Sequence, residues 1–137
     1  ALLQADGVHV GQSDCSIQQA RAILGKSACI GVSAHNLEEA RMAQQGGADY
    51  IGCGAVFGSA TKQDATSLSR ETLRTICQGV SIPVVAIGGI TAQNVQQLAG
   101  SGIQGIAVVS AIFGQPDKTE AARQMHQLAN QVCGGAQ

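Results

Sequence analysis

The chain has 137 residues, of which 45% are hydrophobic, 12% charged and 2% aromatic, and its formal net charge is -1. This balance is typical of one folded domain and excludes an intrinsically disordered chain. The absence of a broad basic field and of base-stacking rings argues against nucleic-acid binding, and no apolar run is long enough for a membrane span.

Short apolar runs alternate with amphipathic stretches along the chain, a rhythm typical of βα units. We predict about five helices and five strands, the strands at GVHVG, ACIGVSA, ADYIGCGAVF, IPVVAIGG and QGIAVVSAI. These runs are apolar on successive positions, as expected of parallel strands that are covered on both faces. The sheet is therefore predicted to be parallel throughout.

Local signals mark the ends of the helices. Asn36 followed by Glu39 resembles a capping arrangement before LEEARMAQQ, and Thr91 is predicted to cap AQNVQQLAG. Glycines are expected to end two helices, at Gly46, Gly47, Gly100 and Gly102.

Two α/β folds share this rhythm, an open doubly wound sheet and a closed (β/α)8 TIM barrel. The opening ALLQ reads as the tail of a helix that leads into the first strand. A barrel normally needs about 250 residues, so five units would lack three. We therefore expect residues 1–137 to form a single domain that corresponds to the last five βα units of a barrel.

Small and charged side chains follow the predicted strands, where parallel α/β folds place their chemistry. Carboxylate oxygen suits a hard cation, lysine is a point charge for phosphate, and glycine amides with hydroxyls bind the remaining phosphate oxygens. The set in chain order is Asp14, Ser33, Ser59, Thr61, Lys62, Gly88, Gly89 and Ser110. It predicts a site for phosphorylated ligands.

Each of these residues also has a structural interpretation. Asp14 has the right type for a helix N-cap, Lys62 for a solvated loop, and Gly88 with Gly89 for a tight turn. His9 is interpreted as a hydrogen-bonded core or rim histidine rather than a catalytic base. No Cys–His or Ser–His–acid order supports nucleophilic catalysis, so we expect electrostatic chemistry.

The five cysteines are odd in number, widely spaced and without a C-x-x-C pair. This argues against a disulfide framework or a zinc site and favours a reduced, cytoplasmic setting. We expect the cysteines to be structural or incidental.

Together, GVHVGQSD, IGVSAHNLEEA, VFGSATK, AIGGIT and GIAVVSAI resemble the thiamine-phosphate synthase family in order and spacing. The resemblance covers the whole chain. It implies a (β/α)8 barrel and a transferase of thiamine biosynthesis that joins hydroxymethylpyrimidine pyrophosphate to a thiazole phosphate, with pyrophosphate leaving. It also implies Mg²⁺ as cofactor and two small phosphorylated substrates.

The resemblance also implies roles for individual residues. Asp14 would be the second of two magnesium-binding aspartates, and Ser33 would contact the pyrimidine substrate. Lys62 would bind the pyrophosphate of that substrate and would be the catalytic residue of the set. The thiazole phosphate would be bound by Ser59, Ala60, Thr61, Gly89, Val109 and Ser110.

Two departures from the family pattern matter. The family loop commonly reads Pro-Thr-x-Thr-Lys, whereas this chain has Gly58, Ser59 and Ala60 before Thr61 and Lys62. The upstream Gln-x-Arg-x-Lys run and the Asn-Asp pair, with the first magnesium aspartate, have no counterpart in these residues. We therefore expect the chain by itself to be incomplete as a catalyst.

Three other functions fit parts of this pattern. A thiazole tautomerase shares the barrel and phosphate site, but Asp14 and Lys62 favour the synthase and Ala55 replaces a histidine that the tautomerase would use. A non-catalytic phosphate-binding barrel remnant would need only the glycines and Ser110. An epimerase is disfavoured because no carboxylate acid/base pair is evident. A homo-oligomer is compatible with the sequence, which does not specify one.

Overall fold

The computed structural model describes residues 4–58 and 68–133 of the chain. Its strands are β1 (Gly7–Val10), β2 (Cys29–Ala34), β3 (Tyr50–Cys53), β4 (Val84–Ile87) and β5 (Gly105–Ala107). Its α-helices are α1 (Ile17–Leu24), α2 (Leu37–Gln45), α3 (Arg70–Gly79), α4 (Ser110–Phe113) and α5 (Lys118–Val132). A 3₁₀ helix, Val95–Leu98, lies between β4 and β5.

The five strands form one sheet in the order β1-β2-β3-β4-β5, and every neighbouring pair is parallel. The predicted parallel sheet is thus confirmed. A doubly wound sheet reverses its strand order at a switch point, which this sheet does not do. Because parallel crossovers are right-handed, an unreversed order places every connecting helix on the same side of the sheet. The architecture is that of part of a barrel.

The outer face of the sheet carries the hydrophobic core. The strand side chains on this face pack against the apolar sides of the helices. Helix α3 contributes Leu73 and Ile76, which are both fully buried. The strand side chains of this face include Ile30, Val32, Ile51, Val84 and Ala86. This burial stabilises the fold through the hydrophobic effect.

The inner face differs from the sequence-based expectation of apolar residues on both faces. Register pairs His9 with Gly31 and Gly31 with Tyr50, and in the next layer it pairs Ser33 with Gly52. In β1, β2 and β3, polar side chains and glycines therefore alternate with the apolar outer positions, because successive residues of a strand point to opposite faces. In β4 and β5 the inner face keeps the expected apolar side chains, at Val85, Ile87 and Ala107.

The helix ends follow local hydrogen bonding. The amide of Glu39 donates to Oδ1 of Asn36 over 2.8 Å, which confirms the predicted cap of α2. The predicted cap at Thr91 is wrong, because the helix that follows is a 3₁₀ helix whose N-cap is Asn94. The Thr91 amide donates to Oδ1 of Asn94 over 2.8 Å. This side-chain hydrogen bond closes the turn that precedes the short 3₁₀ helix.

Arg21 and Asp49 join three elements on the outer side. One guanidinium nitrogen of Arg21, on α1, lies 2.8 Å from Oδ2 of Asp49 and 3.0 Å from the carbonyl oxygen of Gly47. The same Asp49 oxygen accepts the amide of Ile30, on β2, over 2.7 Å. The Ile30 amide, followed by Arg21, lowers the pKa of the Asp49 carboxyl below its ordinary value. The pair therefore ties α1 to β2 and to the turn before β3.

We expect Asp49→Asn to lower the free energy of unfolding by about 1 kcal/mol at pH 7, a modest value because the Asp49 side chain is 45% exposed. A lowered folded-state pKa means that the stabilisation is present above the unfolded pKa and is lost as the pH falls through the folded value. The difference between wild type and variant should therefore shrink below about pH 3.8, the ordinary value. Urea unfolding at pH 7 and pH 3 measures it.

Asp6→Asn is the matched control, since the exposed Asp6 side chain makes no hydrogen bond within the described parts of the chain. It should change stability by less than about 0.5 kcal/mol at either pH. An equal loss in both variants would show that general charge, rather than the Arg21 contact, sets the stability.

Candidate functional site

The carboxyl ends of the five strands meet along one edge of the sheet. Register pairs Val10 with Val32, Ala34 with Cys53, and Ile87 with Ala107 near these ends. The segments that follow the strands therefore emerge side by side. They contain the sequence-predicted residues Asp14, Gly88, Gly89, Val109 and Ser110, while Ser33 lies one position before the end of β2.

Asp14 lies in a tight turn after β1. Its Oδ2 accepts the amide of Gly11 over 2.7 Å, and its own amide donates to the Gly11 carbonyl over 3.2 Å. The N-cap of α1 is Ser16, which forms a capping box with Gln19. Asp14 is therefore not the cap of this helix, and its exposed carboxylate remains at the strand edge.

Ser33 is held from two sides. Its hydroxyl oxygen lies 2.9 Å from Nε2 of His9, and its carbonyl accepts the side-chain amide of Gln12 over 2.7 Å. Nδ1 of His9 in turn lies 3.0 Å from the hydroxyl of Tyr50. This confirms that His9 is hydrogen-bonded.

Tyr50 and Gln12 were not predicted to belong to the site. Tyr50 begins its strand run, where it reads as a large core residue. The sequence does contain one signal for Tyr50: it lies two positions before Gly52, and residues two apart in a strand lie on the same face of the sheet.

The Gly88–Gly89 turn after β4 requires glycine. Both residues have positive φ, 100° and 66°. A Cβ on Gly88 would lie 2.7 Å from both Cα and Cβ of Ala55, and one on Gly89 would run into the carbonyl oxygen of Gly58. The side-chain amide of Asn94 donates to the Gly89 carbonyl over 2.8 Å. The structural interpretation of these glycines as a tight turn is confirmed, and the turn also brings backbone without side chains to the strand edge.

Backbone hydrogen bonds join this turn to the segment after β3. The amide of Val56 donates to the Ile87 carbonyl over 3.0 Å, and the amide of Phe57 donates to the Gly88 carbonyl over 3.1 Å. Further on, the amide of Leu68 donates to the Ala55 carbonyl over 2.7 Å.

Four predicted site residues, Ser59, Ala60, Thr61 and Lys62, lie outside the described residues. Of the described neighbours of their segment, Gly58 lies against Gly89, and Leu68 is hydrogen-bonded to Ala55, the residue that contacts Gly88.

Ser110 is the first residue of α4, three positions after β5 ends. Val109 precedes it and is 70% exposed. Because Ile87 pairs with Ala107, the residues after β5 lie next to the glycine turn after β4. The structure thus brings Gly89, Val109 and Ser110 to adjacent strand ends.

Electrostatics argue against a buried nucleophile. Burial raises the pKa of the Cys53 thiol to about 12 and that of Cys77 to about 11, so both thiols stay protonated near neutral pH. Burial also lowers the pKa of His9, with the negative charge of Asp14 acting in the opposite direction.

A concavity of about 400 Å³ lies between α1 and α2 and reaches Asp14. Its walls include Ile17, Met42 and Gly46, on the outer side of the sheet, and do not include Ser33. It is therefore a groove between helices that adjoins the strand-edge site at Asp14.

A model of the family described as thiamine monophosphate synthase matches residues 1–112. The chain belongs to this family. The thiamine-phosphate synthase of Ruminiclostridium cellulolyticum is 53% identical over 124 residues, which cover 90% of this chain and 59% of that protein. That of Methanobrevibacter smithii is 54% identical over 111 residues, which cover 81% of this chain and 53% of that protein.

A solved structure supports the same conclusion. The chain is similar to thiamine phosphate pyrophosphorylase from Pyrococcus furiosus, with a TM-score of 0.86 and 41% identity, over 96% of this chain and 63% of that one. The α/β fold of the thiamine monophosphate synthase family is therefore confirmed, with the five-stranded sheet as part of a barrel. The chain spans about three fifths of the length of these relatives.

Within the described residues, no helix is both long enough and apolar enough to span a membrane.

We expect Gly88→Ala to destabilise the protein by about 3 kcal/mol, because it adds a clash with Ala55 to the strain of a positive φ. Gly25→Ala is the matched control, since Gly25 has a φ of 92° but open space around its Cβ position. It should cost about 1 kcal/mol. Chemical denaturation of both variants measures the difference, and equal losses would contradict the close approach of the two segments.

Proposed function

We propose that this chain carries much of the active site of a thiamine-phosphate synthase. In this reaction the bond between the pyrimidine methylene carbon and the pyrophosphate oxygen breaks, and pyrophosphate leaves with the electron pair. The thiazole nitrogen donates its lone pair to the methylene carbon and becomes positively charged. The observation that carries the proposal is the meeting of Asp14, Ser33, Gly89 and Ser110 at one strand edge, in a member of this family.

The thiazole phosphate is assigned to the strand ends of β4 and β5. Here Gly89 offers bare backbone, and Ser110 adds a hydroxyl beside Val109. Ser59, Ala60 and Thr61 are assigned to the same phosphate, supported by the packing of Gly58 against Gly89. Amides and hydroxyls of this kind bind phosphate oxygens through hydrogen bonds.

The pyrimidine pyrophosphate is assigned to the other half of the edge. Ser33 is proposed to bind the pyrimidine, and Lys62 to bind the pyrophosphate and stabilise the charge that builds up as it leaves. Such a substitution needs no protein nucleophile, which agrees with the protonated cysteines. The remaining task of the chain is to hold the two substrates face to face.

Magnesium is proposed as the cofactor. The residues fit it, because Mg²⁺ is commonly held by one or two carboxylates together with substrate phosphates, and Asp14 offers an exposed carboxylate at this edge. The described part of the chain contains no cluster of three candidate metal ligands. Bound there, magnesium would supply positive charge to the pyrophosphate.

We also propose that residues 1–137 form one domain of barrel type, since within the described residues one hydrophobic cluster extends from Val10 to Val132. Two small phosphorylated substrates are its proposed ligands, and the cytoplasm is its proposed location. The presence of Ala55 at the Gly88 contact supports the synthase over the tautomerase, which would use a histidine in this run.

One assay tests the function. The protein, as its gene encodes it, is incubated with both substrates and Mg²⁺, and thiamine phosphate is measured. Its formation supports the synthase. Isomerisation of the thiazole alone would support the tautomerase, and phosphate binding without turnover would support a barrel remnant.

We expect Lys62→Ala to lower kcat by about 100-fold or more, since it removes a charge that acts on the leaving pyrophosphate. Its thermal stability should stay close to that of the wild type. Lys26→Ala is the matched control, because Lys26 is exposed and lies before β2, at the opposite end of the strands. Wild-type turnover in Lys62→Ala would remove Lys62 from the mechanism.

We expect Asp14→Asn to raise the Mg²⁺ concentration needed for half-maximal activity by about tenfold or more, because a neutral amide is a weaker ligand for a hard cation. Titration of activity with Mg²⁺ measures this change, and Asp6→Asn serves as its control. An unchanged titration curve would show that Asp14 does not hold the metal.

A further inference from the structure

The inner face of the sheet carries a continuous chain of three polar side chains across β1, β2 and β3. The Tyr50 hydroxyl lies 3.0 Å from Nδ1 of His9, and Nε2 of His9 lies 2.9 Å from the hydroxyl of Ser33. The roles assigned above use only Ser33, the last member of this chain. We call the three residues the Tyr50–His9–Ser33 relay.

Two glycines make room for the rings of the relay. A Cβ on Gly31 would overlap the ring of Tyr50, and a Cβ on Gly52 would lie 2.7 Å from Cε1 of His9. The two rings pack against each other with centroids 5.4 Å apart and planes tilted by 41°. The arrangement is therefore built into the strand sequences and is not a chance contact of mobile side chains.

The direction of the hydrogen bonds follows from the chemistry of the groups. Burial lowers the pKa of His9, although the negative charge of Asp14 acts in the opposite direction. Burial raises the pKa of Tyr50, and the electrostatic interaction with Cys29 raises it further. A neutral imidazole has one N–H donor and one acceptor nitrogen. Because a phenol O–H is more acidic than an alcohol O–H and so the stronger donor, we assign the acceptor nitrogen to the tyrosine, and Tyr50 donates to Nδ1.

The remaining bonds are then fixed. With Nδ1 as acceptor, the proton of His9 lies on Nε2 and is donated to the Ser33 oxygen. Ser33 must therefore direct its own hydroxyl hydrogen elsewhere. A ring nitrogen of an aminopyrimidine is an acceptor for such a donor.

We propose that Tyr50 and His9 are positioning residues that make the Ser33 hydroxyl a hydrogen-bond donor to a ring nitrogen of the pyrimidine substrate. The proposal rests on the proposed function, which assigns Ser33 to that substrate. It adds a basis for specificity, because a ring with C–H in place of the nitrogens offers no acceptor.

Steady-state kinetics of Tyr50→Phe in the protein as its gene encodes it test the proposal, since this change removes the hydroxyl and keeps the ring beside Gly31. We expect the KM for the pyrimidine pyrophosphate to rise by about fivefold to tenfold, the loss of one hydrogen bond. The KM for the thiazole phosphate should change by less than about twofold. Equal rises in both KM values would indicate a general structural role and overturn the proposal.

A double-mutant cycle tests whether Tyr50 acts through Ser33. Ser33→Ala alone should raise the same KM, and adding Tyr50→Phe to it should produce no further rise, because residues of one network are not additive. If the rises in KM of the two single variants multiplied in the double variant, Tyr50 would act independently of Ser33 and the proposal would be overturned. Asp117→Ala is the stability control, since it removes the cap of α5, where Oδ1 of Asp117 accepts the Glu120 amide over 2.9 Å. It should lower Tm and leave both KM values unchanged.

The tautomer of His9 gives a readout that is independent of turnover. In ¹⁵N-labelled protein we expect Nε2 of His9 to carry the proton and Nδ1 to be unprotonated, with the preference reduced in Tyr50→Phe. A proton on Nδ1 would overturn the proposed direction. If the wild type forms no thiamine phosphate, the proposed function fails and the pyrimidine contact fails with it, whereas the tautomer still reports on the relay itself.

Discussion

The parallel pairing of five strands in chain order is the constraint on which the site depends. A parallel sheet delivers every strand end to the same edge, so residues as distant in sequence as Asp14 and Ser110 emerge along one line. The unreversed order sends the helices to the outer face, where the hydrophobic core forms. The inner face of β1, β2 and β3 is left for polar groups. The fold thus separates the residues that stabilise it from those assigned to ligands.

Glycine has a second function in this sheet besides turn formation. Gly31 and Gly52 lie within strands, where glycine weakens the strand, and yet they provide the volume that the rings of Tyr50 and His9 occupy. Gly88 and Gly89 do the same for the segment after β3. In both places the missing Cβ allows a group from a neighbouring strand to approach.

Most of the architecture could be predicted from the sequence, because hydrophobic period and helix caps are local signals. The parallel sheet and the cap at Asn36 are examples. The cap at Thr91 was predicted wrongly because the helix that follows is a short 3₁₀ helix that begins later, with Asn94 as its N-cap. Sequence spacing does not show where such a short helix begins.

The Tyr50–His9–Ser33 relay could not be predicted from the sequence. In GVHVG and ADYIGCG, glycines separate the polar residues, so the runs read as continuously apolar rather than as alternating. The contacts of His9 with Ser33 and Tyr50 span 24 and 41 positions and depend on strand register, which no local pattern specifies. The edge residues Asp14, Gly89 and Ser110 were easier to identify because each follows its own strand.

The two backbone hydrogen bonds between Val56, Phe57 and the Ile87–Gly88 carbonyls have a mechanical consequence. They join residues 56 and 57 to the turn that contains Gly89, although about 30 positions of sequence separate the two segments. A displacement of the turn is therefore transmitted directly to the start of the other segment.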